Sequence, residues 1–276
     1  MPKYLTQDQI DHFNEHGYLC PVDVITEDEA GEILQQLEVA EARYPDQIHA
    51  EDRNNLHYVL PYLDNLIRHP HVLDAIEDLI GPDILAWTTT LFAKEPRSTG
   101  FVSWHQDSAY WGIEPREGIT AWFALTHANE ESGCMKVVPG THKDDIQPHK
   151  DTFGDDNLLT RGQNIEGINE AETVLMPLRP GQMSLHHVRT IHGSMPNQAD
   201  YRRVGLSVQA YFNPEAHQTL GPDTAVLMRG TDPNKHFLPG HRPVAEMDPE
   251  AVAFRTAANQ RIADILYAGA EKRRGY

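Results

Sequence analysis

Trp104-His105-Gln106-Asp107-Ser108-Ala109-Tyr110-Trp111-Gly112 is followed, eight residues on, by Thr120-Ala121-Trp122-Phe123-Ala124-Leu125. The first run sets an imidazole and a carboxylate two residues apart. In an extended chain, residues i and i+2 face the same side, so His105 and Asp107 can reach one metal ion while Gln106 faces away. An HxD tripeptide in a chain with 16 histidines is weak by itself, and a third ligand must come from elsewhere in the fold. Ile191-His192-Gly193-Ser194 offers a second imidazole, and Arg203 follows His192 by eleven residues. Two histidines and one carboxylate are the donor set of the facial triad that holds non-haem Fe(II) and leaves three positions open.

Around these motifs the chain changes character twice. The first 83 residues read helical. Thr6 with Gln9, and Thr26 with Glu29, carry the spacing of capping boxes, and a third apolar face runs from about Pro70 to Leu79 before Gly81-Pro82. From Ile84 the pattern becomes short extended runs: 84–93, 101–105, 118–125, 135–138, 174–178, 183–187 and 203–212. Gly, Pro, Asn and Asp clusters separate them. Such spacing predicts a mainly β fold with helices (α+β), its core a double-sheet jelly roll, with the helices covering one sheet. The expected organisation is one domain over 1–276. It has a helical part to 83, a jelly-roll core over 84–213 with a polar loop at 143–171, then a C-terminal loop and a helix over 249–268. A loop that long inside a compact domain is a lid, a binding loop or a disordered segment by type.

Composition narrows the function. The net charge of −18 opposes binding to nucleic acid or to anionic membrane surfaces. No run of 18 apolar residues is present, so no spanning helix is expected. Cys20 and Cys134 are the only cysteines and read as free thiols of a reducing cytoplasm. A small-molecule substrate is the expected partner, and the choice between monomer and homodimer stays open.

The motifs, taken with Glu131-Ser132-Gly133-Cys134 through Val138-Pro139-Gly140-Thr141-His142 and with His192-Gly193-Ser194-Met195-Pro196-Asn197, resemble the phytanoyl-CoA dioxygenase family over roughly residues 5–215. That resemblance implies a double-stranded β-helix (cupin-like) core and Fe(II) held by His105, Asp107 and His192. His192 has rivals in His186 and His187, and the family's HGS motif selects it. It further implies 2-oxoglutarate as co-substrate, gripped by Arg203 rather than Arg202, with Ser194, Trp122 and Thr90 alongside, and consumption of O2. Trp122 reads equally well as a plain core residue. Succinate and CO2 are the implied by-products of a hydroxylation. Halogenating relatives lack the carboxylate, and Asp107 is intact. A cupin-like enzyme with a redox-inert metal leaves Arg203 and the HGS turn without a purpose.

Asn55, His57, Tyr110 and Trp111 are the candidates for the substrate side, being polar or aromatic, with the last two just past Asp107. Lys94 and Arg116 are the basic residues expected near the mouth. Two isolated cations suit a small polar metabolite, such as an amino-acid derivative, an aminophosphonate or a natural-product intermediate. A phytanoyl-CoA type of acyl thioester is the alternative.

Overall fold

The computed structural model describes residues 2–49 and 52–273. Helix α1 (Gln7–His16) starts on a Thr6/Gln9 capping box and ends at Gly17, whose φ of 77° is the left-handed value favoured at such stops. A side chain there would run into His142 and Thr190. Strand β1 (Tyr18–Asp23) follows, then α2 (Glu27–Arg43), opened by the Thr26/Glu29 box. Two proline-started helices, α3 (Pro61–Ile67) and α4 (Pro70–Ile80), complete the helical part.

The extended runs then appear in order. They are β2 (Ile84–Ala86), β3 (Thr89–Lys94), β4 (Val102–His105), β5 (Ile113–Glu114), β6 (Ile119–Ala124) and β7 (Met135–Val137). After the long loop come β8 (Val174–Met176), β9 (Gln182–His187), β10 (His192–Ser194), β11 (Arg203–Phe212), β12 (His217–Gln218), β13 (Thr224–Arg229) and β14 (Leu238–Pro239). Helix α5 (Pro249–Leu266) is capped by Asp248, which accepts from Glu250 N and Ala251 N.

Two sheets enclose the site. The larger runs β1-β9-β6-β11-β2-β13-β14, with β3 also paired to β11; the smaller runs β4-β10-β7-β8. This is the jelly-roll arrangement expected of the strand spacing. The period of two decides which side chains meet. On β11, Val204, Leu206 and Val208 are fully buried in the main core, while Arg203, Ser207 and Gln209 face the interior cavity. On β6, Ile119, Ala121 and Phe123 join that core, and Thr120 and Trp122 face the cavity. The core faces of α2, α3 and α4 supply Leu37, Leu63, Ile67, Val72 and Ile76 from the other side. Each such side chain contributes about 1.5–3 kcal/mol by leaving water.

Several elements depart from the sequence reading, three of them in the larger sheet. The run 84–93 breaks at Trp87-Thr88, so its halves pair with different stretches of β11. Tyr18–Asp23 is a strand that pairs with β9. Thr224–Arg229, which falls in a region expected to be loop, is β13 and pairs with β2. Its six residues sit between Gly221-Pro222-Asp223 and Gly230-Thr231-Asp232, and that turn-rich framing hides a short strand.

Candidate metal and co-substrate site

β4 ends on His105, and Gln106 is extended (φ −113°, ψ 127°). Asp107 therefore returns to the same side as His105, although it opens a single 3-10 turn, Asp107–Ala109. His192 is the first residue of β10 and lies directly opposite His105 in the antiparallel pair. The turn that presents it comes before it, at 188–191, rather than after it. One nitrogen from each ring and one Asp107 oxygen lie within 4.8 Å of one another. His105 Nε2 is 3.3 Å and His192 Nε2 3.8 Å from Asp107 Oδ1.

The tautomers follow from the neighbours. A carbonyl only accepts, so His105 Nδ1 must donate to Ser103 O (2.9 Å) and His192 O (3.1 Å). His192 Nδ1 likewise donates to Thr190 O (3.0 Å). Both Nε2 atoms are then left facing the Asp107 carboxylate, the side from which a metal would approach. Burial holds His192 well below the usual imidazole range, helped by the fields of His105 and His186. For Asp107 burial alone would raise the carboxyl, but the fields and hydrogen bonds of His192, His105 and His186 outweigh it and hold the group well below its usual range. A divalent metal requires an ionised carboxylate and neutral imidazoles, and the depressed Asp107 and His192 suit it.

His186 has a different task from the one that made it a rival ligand. Its Nε2 lies 3.1 Å from Asp107 Oδ2, and Thr120 Oγ1 donates to the same oxygen at 2.7 Å. A carboxylate only accepts, so this Nε2 carries its proton. Oδ2 is thereby occupied and Oδ1 is turned toward the two ligand rings. His187, one residue on, faces outward and pairs with Glu117 at 2.8 Å. Alternation along β9 separates the two, but which one faces inward needed the sheet.

Arg203 opens β11 and is 4% exposed. Its guanidinium lies 5.1 Å from the Trp122 ring centroid and donates to Gly133 O at 3.2 Å. Gly205 makes this stacking possible, since a Cβ there would run into the Trp122 ring. Burial brings Arg203 down to about 10. Arg202 points the other way, in a two-pronged bond to Glu41 (2.7 and 2.8 Å) and a third to Glu95 (2.8 Å).

All three triad residues, Arg203, Ser194, Trp122 and Thr90 line one cavity that opens to solvent. Trp111 lines it as well. Asn55, His57 and Tyr110 do not, which corrects the substrate-side expectation for these three. Asn55 is buried at φ 56°, its side-chain oxygen accepting from Thr88 Oγ1 and Thr89 N behind the cavity wall. His57 bonds Thr89 Oγ1, and burial pushes it down to about 3. Tyr110 bonds Asp151 on another face. Lys94 is not at the mouth but 1% exposed beside Ser194, and Arg116 is half-exposed against Glu114.

The far wall was not legible. Leu158, Leu159 and Thr160 from the 143–171 loop face Asn259, Ile262 and Leu266 of α5. Arg161, 6% exposed, ties the two: it donates to Leu266 O and Ala268 O, meets Asp151, and stacks on Tyr110 at 4.6 Å. Arg53 adds a cation to this half, stacking on Phe92 and donating to Leu158 O at 2.6 Å.

A family profile described as Phytanoyl-CoA dioxygenase (PhyH) matches residues 13–205, which include every triad residue and Arg203. The chain belongs to that family. Over 169 residues it is 30% identical to the probable alpha-ketoglutarate-dependent hypophosphite dioxygenase of Stutzerimonas stutzeri, covering 60% of this chain and 58% of that one. To the peroxisomal phytanoyl-CoA dioxygenase of Bos taurus it is 34% identical over 144 residues, 50% of this chain and 42% of that one. The chain thus spans about half the length of these curated relatives. The apo structure of the non-heme monooxygenase ThoJ superposes with a TM-score of 0.85 at 31% identity, covering 96% of this chain and all of that one. The PhyH match stops at β11, before α5. No helix among the described residues is long and apolar enough to cross a membrane.

Proposed function

We propose that the protein is an Fe(II)- and 2-oxoglutarate-dependent dioxygenase that hydroxylates a small polar metabolite. The observation that carries this reading is convergence: with each Nδ1 held by backbone carbonyls, His105 Nε2, His192 Nε2 and Asp107 Oδ1 meet at one end of a cavity. These three residues would hold Fe(II) on one face. When bound, Fe(II) and 2-oxoglutarate supply oxidation by O2, with release of succinate and CO2. Arg203 presents a planar fork to the far carboxylate of the co-substrate, and Ser194 adds a hydroxyl donor. Trp122 floors that subsite through its stack with Arg203, and Thr90 lines the cavity nearby. Thr120 and His186 hold Asp107 Oδ2, so the metal-facing oxygen keeps its direction. The packed walls exclude bulk water from the end where oxidation occurs.

The substrate half supports a compact polar molecule. Asn54, Thr88, Gln209 and Asn259 offer hydrogen bonds between Trp111 and Phe92, and Arg53 offers one positive charge. One relative is named for hypophosphite and another for phytanoyl-CoA. A coenzyme A ester carries several phosphate charges, which a net charge of −18 repels and one arginine does not offset. Free thiols at Cys20 and Cys134 support a reducing, cytoplasmic setting.

Anaerobic addition of Fe(II) and then 2-oxoglutarate should give the weak visible charge-transfer band of a chelated ferrous centre. Admission of O2 with a panel of small polar acids should then release succinate in step with substrate consumed. A metal-loaded protein that neither develops the band nor releases succinate would remove this function. Coupled turnover of an acyl thioester alone would replace the substrate class.

A further inference from the structure

Lys94 ends β3 directly opposite Arg203 on β11. It is among the largest fully buried side chains of the molecule. Its ammonium donates to Ser194 Oγ at 2.8 Å, to Met195 O, and at 3.4 Å to Gly133 O. Arg203 reaches the same Gly133 carbonyl, so two buried cations share one acceptor. Among the described residues, the field that favours their charged forms is that of Cys134 rather than of a carboxylate. Arg203 Nε is buried with no hydrogen-bond partner. Burial, and then the Arg203 charge, bring Lys94 down to about 6. An enclosed excess of positive charge is a standing demand for an anion.

The donor count gives Lys94 a more specific effect. In its charged form, which a bound anion would restore, Lys94 has hydrogens and no lone pair, so Ser194 Oγ then accepts from it. The hydroxyl's own hydrogen is then turned elsewhere, and no described residue takes it. Ser194 lines the cavity two residues beyond His192 on the same short strand. A ligand carboxylate placed between Ser194 and Arg203 would hold Lys94 in its charged form and so meet a hydroxyl oriented to donate.

We propose that Lys94 is a positioning residue that orients the Ser194 hydroxyl and completes a two-cation subsite with Arg203, making this end of the cavity selective for a keto acid with a second carboxylate. The proposal rests on the reading that 2-oxoglutarate is the co-substrate, and it deepens that reading. Lys94 acts from behind Ser194 and needs no contact with the metal-chelating end of the ligand. Its loss should therefore be felt by the distal carboxylate alone.

The test is calorimetric binding to the full chain loaded with Mn(II), comparing 2-oxoglutarate with 2-oxopentanoate, which has a methyl group where the second carboxylate would be. Lys94→Met should weaken 2-oxoglutarate by about 10- to 100-fold, the equivalent of one charged hydrogen bond. It should leave 2-oxopentanoate unchanged. Lys94→Arg, which restores the charge, should recover part of the loss. Ser194→Ala keeps the buried lysine and should lose a smaller part of the same selectivity, which covers the case in which Lys94→Met does not fold. Equal weakening of both acids, or unchanged selectivity in the folded variants, would overturn the role of Lys94. Failure of the unmodified protein to bind 2-oxoglutarate at all would instead overturn the co-substrate reading.

Discussion

The two halves of the cavity are built differently. The metal and co-substrate half stands on paired strands: His105 faces His192 across β4 and β10, and Lys94 faces Arg203 across β3 and β11. Each functional atom there is fixed by a ladder of backbone bonds and by a second side chain or carbonyl behind it. The outer wall of the substrate half is a loop laid against the end of a helix, joined through Arg161 and through Tyr267, whose hydroxyl donates to Thr160 O at 3.2 Å. The difference teaches where precision resides. Chemistry is held by sheet register, whereas selection among substrates is left to segments joined by a few side chains.

That contrast can be broken most sharply at the triad. Asp107→Asn or His192→Ala should abolish the ferrous 2-oxoglutarate band and turnover, since each removes one of three ligands. Retention of both in His192→Ala would transfer the ligand role to another histidine. Next comes the carboxylate subsite. Arg203→Ala should cost about 2–5 kcal/mol of 2-oxoglutarate binding, roughly 30-fold or more, by leaving a carboxylate unpaired in a partly dry pocket. Its neighbour Arg202, tied to Glu41 and Glu95 on the outer side, should give no change in the same titration when replaced by alanine; similar effects at both positions would show the β11 register to be wrong by one residue.

A smaller effect is expected behind the ligands. His186→Ala frees Asp107 Oδ2 from one of its two donors and should lower metal affinity by about 10- to 100-fold, with the band restored at saturating Fe(II). A metal titration reads this directly, and an unchanged affinity would reduce His186 to packing. The mildest change is predicted across the cavity. Arg161→Ala releases the loop from α5 and should raise KM for the primary substrate by about tenfold, the equivalent of 1.4 kcal/mol. The dissociation constant of 2-oxoglutarate should stay unchanged. Equal effects on both constants would mean that the two halves are mechanically one.

What could be read in the sequence follows the same division. The HxD pair is legible because i and i+2 share a side in any extended chain, and His192-Gly193-Ser194 because the motif is contiguous. The capping boxes at Thr6 and Thr26 are legible for the same local reason. His186 and Lys94 were out of reach. Assigning them requires knowing that β9 turns its even-numbered residues inward, and that β3 pairs with β11 so that residue 94 meets residue 203. Asn55 and His57 are polar, a property shared by groups that bind a ligand and groups that satisfy a buried backbone. Only their bonds to Thr88 and Thr89 tell which. The 143–171 loop stood out by its length, yet nothing in its composition says that residues a hundred positions later close over it.

The placement of α5 has a consequence for how such a protein can change over generations. All the iron and co-substrate contacts proposed lie between residues 90 and 203, whereas the wall facing the substrate includes Asn259, Ile262, Ala263, Leu266 and Tyr267. Mutation can therefore sample new substrate shapes in one stretch of the gene while the oxidising apparatus in another stretch stays untouched. Directed evolution has the same freedom: a library confined to Asn259, Ile262, Ala263 and Leu266 varies what is oxidised and leaves intact the means of oxidising it.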